Sequence, residues 1–235
     1  MRAAKLDAHT DVLEVGPGLG VLTRELAKAA GKVVAIEIDA ELAEALKLEG
    51  IANLAVITED VLKVQPESYF EQPYTVVANL PFHITSPALR HLLSAGPPFA
   101  ERLVVMVQAE VADRIAAQPG DMSALAVAIQ TQADVKIVQR VAAEAFYPRP
   151  KVDSAVLLLE PLKERTVQRE ELPEFVELLQ AGFKQPRKTL ANSLADGLAI
   201  SKQAATARLE RAKIDPGLRP QALEITDWVR IFRNT

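Results

Sequence analysis

The stretch Asp-Val-Leu-Glu-Val-Gly-Pro-Gly-Leu-Gly at residues 11–20 decides the fold. Its first half is short, apolar and β-branched, as in a buried strand, and its second half is rich in glycine. Apolar residues from Leu22 to Ala30 then recur at helical spacing, so the segment predicts a strand, a tight turn and a helix. Glycines at such a turn permit positive φ, and a helix N-terminus favours negative charge, so a ligand can approach the backbone here.

The spacing of these glycines argues against a dinucleotide cofactor. A nicotinamide-binding fingerprint has its third glycine at the position that Val21 occupies, whereas this chain has the spacing G-x-G-x-G. A nicotinamide oxidoreductase is disfavoured for that reason, and because the sequence offers no Tyr-Lys or histidine constellation for such chemistry.

Acidic residues follow the next two predicted strands, 32–36 and 54–58. Glu37 comes directly after the first, where a carboxylate at the edge of a parallel sheet can accept both hydroxyls of a ribose. Asp60 follows the second, and its carboxylate can accept from an adenine amino group while the Val61 amide donates to the ring. A solvated charge at Glu37 and a helix N-cap at Asp60 are the alternatives. The acids and the glycine turn together predict an adenosine-containing ligand without a pyrophosphate.

The most informative four residues are Asn79-Leu-Pro-Phe82, which follow the predicted strand 74–78. A side-chain amide at Asn79, a free carbonyl at Leu80, the rigid Pro81 and the aromatic face of Phe82 can together hold a flat base that bears an amino group. The alternative is a proline turn into the next helix, with Phe82 packed in the core.

The order of the predicted elements indicates the fold class. Strand-like and helical segments alternate through the strand 103–107 and as far as residue 160, which predicts a doubly wound α/β sheet. Pro161 marks the expected boundary between a domain at 1–161 and a second domain at 162–235. Several short helices, interrupted at the later prolines, are expected in the second domain.

Composition narrows the classes of function. The 235 residues contain no cysteine and only three dispersed histidines, so disulfides and thiolate sites are excluded and no metal centre is expected. No apolar stretch approaches the ~18 residues of a membrane helix, and the first residues lack the apolar core of a secretory signal, so a cytoplasmic location is expected.

Charge is distributed unevenly along the chain. The net charge of -4 is unusual for a nucleic-acid binder, since phosphate neutralisation supplies much of such affinity. Residues 161–235 carry 13 basic against 10 acidic side chains, a net of +3, whereas residues 1–160 carry 14 against 21, a net of -7. The C-terminal part is therefore the better candidate for contact with the phosphates of a nucleic acid.

Four motifs resemble the ribosomal RNA adenine dimethyltransferases. They lie at residues 12–23, 34–39, 79–82 and 146–154, the last being Phe-Tyr-Pro-Arg-Pro-Lys-Val-Asp-Ser, and the similarity extends to a C-terminal segment at 183–194. The nearest branch is that of the small-subunit enzymes linked to kasugamycin sensitivity, rather than the erythromycin-resistance methylases. The resemblance implies a Rossmann-like, seven-stranded methyltransferase sheet whose last strand is antiparallel, followed by a small helical domain for RNA recognition.

The resemblance implies S-adenosyl-L-methionine as the methyl donor. The residues it assigns to the donor are Gly16, Gly18 and Gly20 around the methionine portion, Glu37 on the ribose, Asp60 with Val61 on the adenine, and Asn79 at the border with the base. Glu14 is a candidate to hold the donor's ammonium group, directly or through water; an acid that caps the turn is the alternative.

The resemblance also implies roles at the target base. The Asn79 side-chain oxygen and the Leu80 carbonyl would accept the two amine hydrogens, and Phe82, which replaces the more usual Tyr, would stack on the purine. Phe146 is the candidate for the opposite face of the base, with a core role as the alternative.

Candidate contacts to the RNA backbone lie in two places. They are Arg149 and Lys151 beside the presumed base pocket, and the cluster of Lys184, Arg187 and Lys188. The cluster has an alternative interpretation as a solvated helix end.

The function implied is dimethylation of two adjacent adenines near the 3′ end of 16S ribosomal RNA, by a monomer that acts on immature 30S subunits away from any membrane. Members of the family carry a segment before the first strand, including a Gln-Asn-Phe motif, which we expect this chain to lack, so that its donor pocket has no front wall. Alternatives are an adenine methylase of 23S ribosomal RNA or of DNA, and a ribosome-assembly factor whose catalysis is dispensable or absent.

Overall fold

The computed structural model describes residues 2–234 and divides into two compact units. The first unit comprises the residues up to 112 together with 134–161, and the second comprises 113–133 together with the residues from 162 onward. The first unit ends at Pro161, where the sequence places its boundary. The predicted domains, 1–161 and 162–235, place residues 113–133 in the first domain. In the structure these residues belong to the second unit.

A mixed sheet forms the framework of the first unit. Its seven strands in the described chain are β1 (Asp11–Val15), β2 (Lys32–Glu37), β3 (Leu54–Thr58), β4 (Tyr74–Asn79), β5 (Ala100–Gln108), β6 (Ala133–Val141) and β7 (Ser154–Pro161). They lie in the order β3-β2-β1-β4-β5-β7-β6. Pairing is parallel from β3 across to β5, and β7 runs antiparallel to β5. The predicted α/β sheet and its antiparallel last strand are both confirmed.

Helices flank this sheet and build the second unit. Those of the first unit are α1 (Val21–Ala29), α2 (Ala40–Leu48) and α3 (Thr85–Leu93), and α4 (Ala109–Ile115) begins in it. Those of the second are α5 (Ala124–Gln130), α6 (Leu172–Phe183), α7 (Leu190–Gly197), α8 (Lys202–Arg211) and α9 (Ile225–Arg233). Short 3-10 turns lie at Arg2–Ala4, Pro66–Tyr69, Ala143–Ala145, Arg169–Glu171 and Pro220–Ala222.

Three of the parallel strands end one residue later than the sequence predicts. The added residues are Glu37 on β2, Asn79 on β4 and Gln108 on β5, and each pairs with a residue of a neighbouring strand. The backbone ladder continues to these positions because pairing uses main-chain groups, whatever the polarity of the side chain. Each strand therefore presents a polar side chain at its carboxyl end.

Strand register decides which side chains share a face of the sheet. Glu14 pairs with Ala35 on β2 and with Val77 on β4. Glu37 and Asn79 each lie two residues further along their strands, so the pleat directs both to the same face as Glu14. One face of the sheet thus carries all three polar side chains near its carboxyl edge.

The apolar residues of that face fix the sheet in place. Val12, Val33, Val77 and Val104 are buried in one cluster with Leu26 of α1. Full burial of a Val or Leu side chain contributes ~1.5–3 kcal/mol, so the cluster holds the four central strands firmly together. The strand ends above it are consequently positioned by a rigid scaffold.

The second unit has a separate core around Trp228 of α9 and Phe175 of α6. Gly182 lies against the Trp228 ring, and a methyl group at this glycine would come within 2.3 Å of the ring atom Cη2. Helix α6 requires glycine here because a larger residue would collide with a buried aromatic ring.

Candidate active site

The glycine turn after β1 has the conformation that the sequence predicts. Gly16, Gly18 and Gly20 have φ values of +67°, +56° and +73°, in the region that residues with a side chain rarely adopt. A Cβ atom at Gly16 or Gly18 would meet nothing within 4 Å, whereas one at Gly20 would lie 2.7 Å from a Leu46 methyl carbon. The turn is therefore open to a ligand at its first two glycines and closely packed at its third.

Glu37 is joined to this turn through its carboxylate. Oε2 accepts a hydrogen bond from the Gly18 amide at 3.0 Å, and Oε1 accepts one from the Asp39 amide at 3.0 Å. The residue is buried, so these bonds hold its carboxylate in one place. Each oxygen keeps a further lone pair, with which it can accept from a hydroxyl group.

Glu14 places a second carboxyl group under the turn. The pKa of Glu14 is raised to about 7, chiefly by burial and in addition by the charge of Glu37, while the hydroxyl of Thr23 opposes the shift. Its Oε2 atom accepts no hydrogen bond from any residue that the structure describes, although the residue is only 1% exposed. A buried polar atom without a partner is costly, so this position favours a ligand that brings a donor.

Asp60 forms a tight turn after β3, and the alternative interpretation as a helix N-cap is wrong because no helix of the described chain begins there. Its Oδ1 atom accepts from the Leu62 amide at 3.0 Å, and its carbonyl accepts from the Lys63 amide at 2.9 Å. Within residues 2–234, its other carboxylate oxygen and the amide of the buried Val61 have no hydrogen-bond partner. An acceptor and an adjacent donor thus remain available to a planar ring.

The Asn79 to Phe82 segment is fixed through its backbone. The Leu80 amide donates to the Met106 carbonyl at 3.1 Å, and the Pro81 carbonyl accepts from the Ile84 amide at 3.1 Å at the start of α3. No described residue donates to the Leu80 carbonyl or bonds the Asn79 side chain. Phe82 is 47% exposed, so its alternative assignment to the core is wrong.

Phe146 follows the 3-10 turn at Ala143–Ala145, and this turn is tied to the end of β5. Asp153 makes the connection, because its Oδ1 atom accepts from the Ala143 amide at 3.0 Å and its carbonyl accepts from the Ala109 amide at 2.9 Å. Phe146 is half-buried, and the next residue, Tyr147, is fully exposed.

The basic candidates are all exposed but differ in their partners. Arg149 forms an ion pair with Glu144, whereas Lys151 has no ion-pair partner in the described part of the chain. In the second unit the Lys184 ammonium donates to the Asp196 carbonyl at 3.0 Å. Arg187 and Lys188 form no ion pair with any described residue.

Two residues near the carboxyl edge of the sheet are not identified from the sequence. Thr23 is buried beside Glu14, a placement that depends on how α1 packs and that no local pattern signals. Gln108 ends β5, and its signal is the one that identifies Glu37 and Asn79, namely a polar residue directly after an apolar strand.

Two other classes of feature are absent from the described residues. None of the helices there is long and apolar enough to cross a membrane. No three His, Asp or Glu side chains between residues 2 and 234 converge in a way that would hold a metal ion.

Comparison with known proteins identifies relatives of the whole chain. The model of the family described as ribosomal RNA adenine dimethylase matches residues 1–235. A ribosomal RNA small subunit methyltransferase A from Dehalococcoides mccartyi is 44% identical, over 96% of this chain and 79% of its own. One from Moorella thermoacetica is 42% identical, over 99% of this chain and 85% of its own.

Comparison with solved structures finds proteins of similar fold and similar description. A dimethyladenosine transferase from Plasmodium falciparum superposes with a TM-score of 0.78 at 28% identity, covering 98% of this chain and 91% of its own. The 23S rRNA methyltransferase ErmE has a TM-score of 0.70 at 30% identity, covering 99% and 93%. With its glycine turn, its strand-end acids and its Asn79 segment in this arrangement, the chain belongs to the ribosomal RNA adenine dimethylase family.

Proposed function

We propose that this protein transfers methyl groups from S-adenosyl-L-methionine to the exocyclic nitrogens of two adjacent adenines near the 3′ end of 16S ribosomal RNA, dimethylating each. The observation that carries the proposal is the pair of unpartnered acceptors at the carboxyl end of β4, the Asn79 side chain and the Leu80 carbonyl. The choice of the small subunit rests on the relatives with that name, at 42% and 44% identity.

The residues around the glycine turn fit the donor. Glu37 accepts the ribose hydroxyls with its remaining lone pairs, and the free carboxylate oxygen of Asp60 and the Val61 amide bind the adenine ring. The open space at Gly16 and Gly18 admits the methionine portion. The unpartnered Oε2 of Glu14 accepts from its ammonium group, directly or through water.

The donor supplies a methyl group already activated by positive charge on sulfur, so this chain's task is to align the amine. The lone pair of that amine is delocalised into the ring. When Asn79 Oδ1 and the Leu80 carbonyl accept its hydrogens, they draw the nitrogen towards tetrahedral geometry and free the lone pair for attack. Alignment of this kind can lower a barrier by roughly 7–11 kcal/mol in favourable cases.

The aromatic side chains hold the plane of the base. Phe82 offers a half-exposed face directly after the acceptors, and stacking of a base on an aromatic ring contributes about 1–3 kcal/mol. Phe146 is our candidate for the second face.

Each transfer releases one proton from the amine, which passes to water. After the first transfer the nitrogen keeps one hydrogen, so either Asn79 or Leu80 can still orient it for the second.

The second unit, with the C-terminal domain from residue 162, is our candidate for RNA recognition. Arg187 and Lys188 have no ion-pair partner in the described residues and are free to meet phosphates, whereas Lys184 and Arg149 must first exchange their protein partners. Lys151 needs no such exchange. In this proposal the protein acts as a monomer, in the cytoplasm, on immature 30S subunits.

A second candidate is methylation of 23S ribosomal RNA, which the similarity to ErmE supports. Both candidates are tested by transfer of radiolabelled methyl groups to under-methylated small subunits, large subunits and duplex DNA. We expect label in the small-subunit RNA, on adjacent adenines near its 3′ end. Label confined to the large subunit would favour the second candidate, and label confined to DNA would refute both.

A further inference from the structure

Gln108 ends the strand next to that of Asn79, at the carboxyl edge of the sheet. Asn79 on β4 pairs with Met106 on β5, and paired residues of parallel strands direct their side chains to the same face. Gln108 is two residues beyond Met106, so its side chain shares that face. Asn79 and Gln108 are therefore the last residues of adjacent strands and are directed to the same side.

The side-chain amide of Gln108 is available to a ligand. The residue is half-buried, and no residue between 2 and 234 forms a hydrogen bond with its side chain. Gln130, which is also half-buried, differs in this respect, because its Nε2 atom donates to the Ile115 and Ala117 carbonyls at 2.7 and 2.8 Å. A satisfied glutamine of this kind has a structural role, whereas Gln108 has donors without a partner.

The chemistry of adenine supplies what that amide needs. The exocyclic amine presents two donors, and ring nitrogens that accept hydrogen bonds flank it on both sides, N1 and N7. In the proposed geometry Asn79 Oδ1 and the Leu80 carbonyl both accept from the amine, whereas a ring nitrogen needs a hydrogen-bond donor. An amide N–H is the complementary group, and glutamine is a frequent partner of adenine for this reason.

We propose that Gln108 donates a hydrogen bond from its side chain to a ring nitrogen beside the amine of the target adenine, and so contributes to the specificity of the enzyme. The inference rests on the proposed function of Asn79 and Leu80. Methylation of the exocyclic nitrogen leaves the ring nitrogens unchanged, so the same contact serves both transfers. A contact to N1 also discriminates against guanine, which carries a hydrogen at N1, whereas a contact to N7 does not, because guanine N7 is an acceptor as well.

The test combines a protein variant with altered bases. Small subunits are reconstituted with 16S RNA whose 3′ segment, joined by ligation, carries adenosine, 1-deazaadenosine or 7-deazaadenosine at the target positions. The initial rate of radiolabelled methyl transfer is measured for the parent, for Gln108→Ala and for Gln108→Met, which keeps the volume of the side chain. Gln139→Ala, at an exposed position on β6, is the control variant.

With adenosine we expect both Gln108 variants to lower kcat/KM by roughly 5- to 30-fold, as for the loss of one buried hydrogen bond. With one of the two deaza bases the parent should lose a similar factor, and the variants should then equal the parent within about twofold, because the partner atom is already gone. Binding of S-adenosylhomocysteine, measured by calorimetry, should not change.

An equal loss on all three bases would mean that Gln108 acts on the structure of the site, and would overturn the proposal. The proposal is also overturned if neither variant slows transfer to adenosine. If the parent transfers no methyl group to adenosine in any subunit, the proposed function itself fails and the inference fails with it.

Discussion

The Glu37 carboxylate accepts a hydrogen bond from the Gly18 amide at 3.0 Å, so the acid at the end of β2 and the turn after β1 form one rigid unit. Nineteen residues separate the two along the chain, and the parallel pairing of β1 with β2 brings them together. The bond orients the carboxylate towards the space that the glycines leave open.

Replacing Glu37 should therefore weaken donor binding. Glu37→Ala removes both the ribose acceptors and the bond that holds the turn, and we expect the Kd for S-adenosylhomocysteine to rise at least about tenfold, equivalent to ~1.4 kcal/mol. Isothermal titration calorimetry measures this directly. Glu41→Gln, at an exposed position on α2, is the matched control, and equal affinities for the two variants would exclude the ribose role.

Glu14 should make stability depend on pH. Its pKa is about 7 in the folded chain against an ordinary value of 4.5, so the folded state keeps a proton in this range that the unfolded state has released. Stability due to this group is fully present below pH 4.5 and is lost as pH rises to 7. The loss is on the order of 3 kcal/mol at most.

Glu14→Gln removes the titrating group. The free energy of unfolding of the variant minus that of the parent should therefore increase between pH 4.5 and 7. Urea unfolding of both chains across that range gives the difference. If the difference stays constant with pH, Glu14 is ionised in the folded protein and the raised pKa is incorrect.

The hydrogen bond from the Ala143 amide to Asp153 should help to position Phe146. Asp153→Ala removes the acceptor for the Ala143 amide, which should loosen the turn before Phe146 and reduce kcat/KM for RNA by about tenfold. Asp153→Asn keeps an oxygen in the same position and should recover most of that loss. Methyl-transfer kinetics with both variants test this role, and equal activity of Asp153→Ala and the parent would exclude it.

The second unit supplies a test of packing. Gly182→Ala would place a methyl group 2.3 Å from the buried Trp228 ring, and overpacking of this kind costs about 1–3 kcal/mol. Urea unfolding should show the loss. Gln180→Ala, at an exposed position on the same helix, should stay within about 0.5 kcal/mol of the parent, and a similar value for Gly182→Ala would show that the ring moves freely.

Much of the donor side of the site is predictable from the sequence because local patterns encode it. Strands β1 and β3 begin and end where the sequence predicts, at 11–15 and 54–58, and the three glycines have the positive φ values that such a turn permits. Glu37 and Asn79 stand out as polar residues after such runs. Gln108 is also a polar residue at the end of an apolar run, directly before α4. Its significance depends on the register of β5 with β4, the strand of Asn79, and only the folded sheet defines that register.

Contacts between distant parts of the chain are not predictable in this way. Helix α5 has a weak sequence signal because it spans only seven residues; a serine, Ser123, caps its start, and the serine hydroxyl accepts from the Ala126 amide at 3.2 Å. The packing of residues 113–133 with the second unit follows from a core that includes Met122 and Ala126, and the hydrophobic pattern along the chain does not reveal which core a segment joins.

The central claim is that the Asn79 side chain orients the target amine. It is tested most directly by measuring methyl transfer to under-methylated small subunits with the parent and with Asn79→Ala, alongside donor binding by calorimetry. We predict that Asn79→Ala lowers the transfer rate by about 100-fold or more while donor affinity stays within about threefold. Transfer at the parent rate by a variant that still binds the donor would contradict this claim.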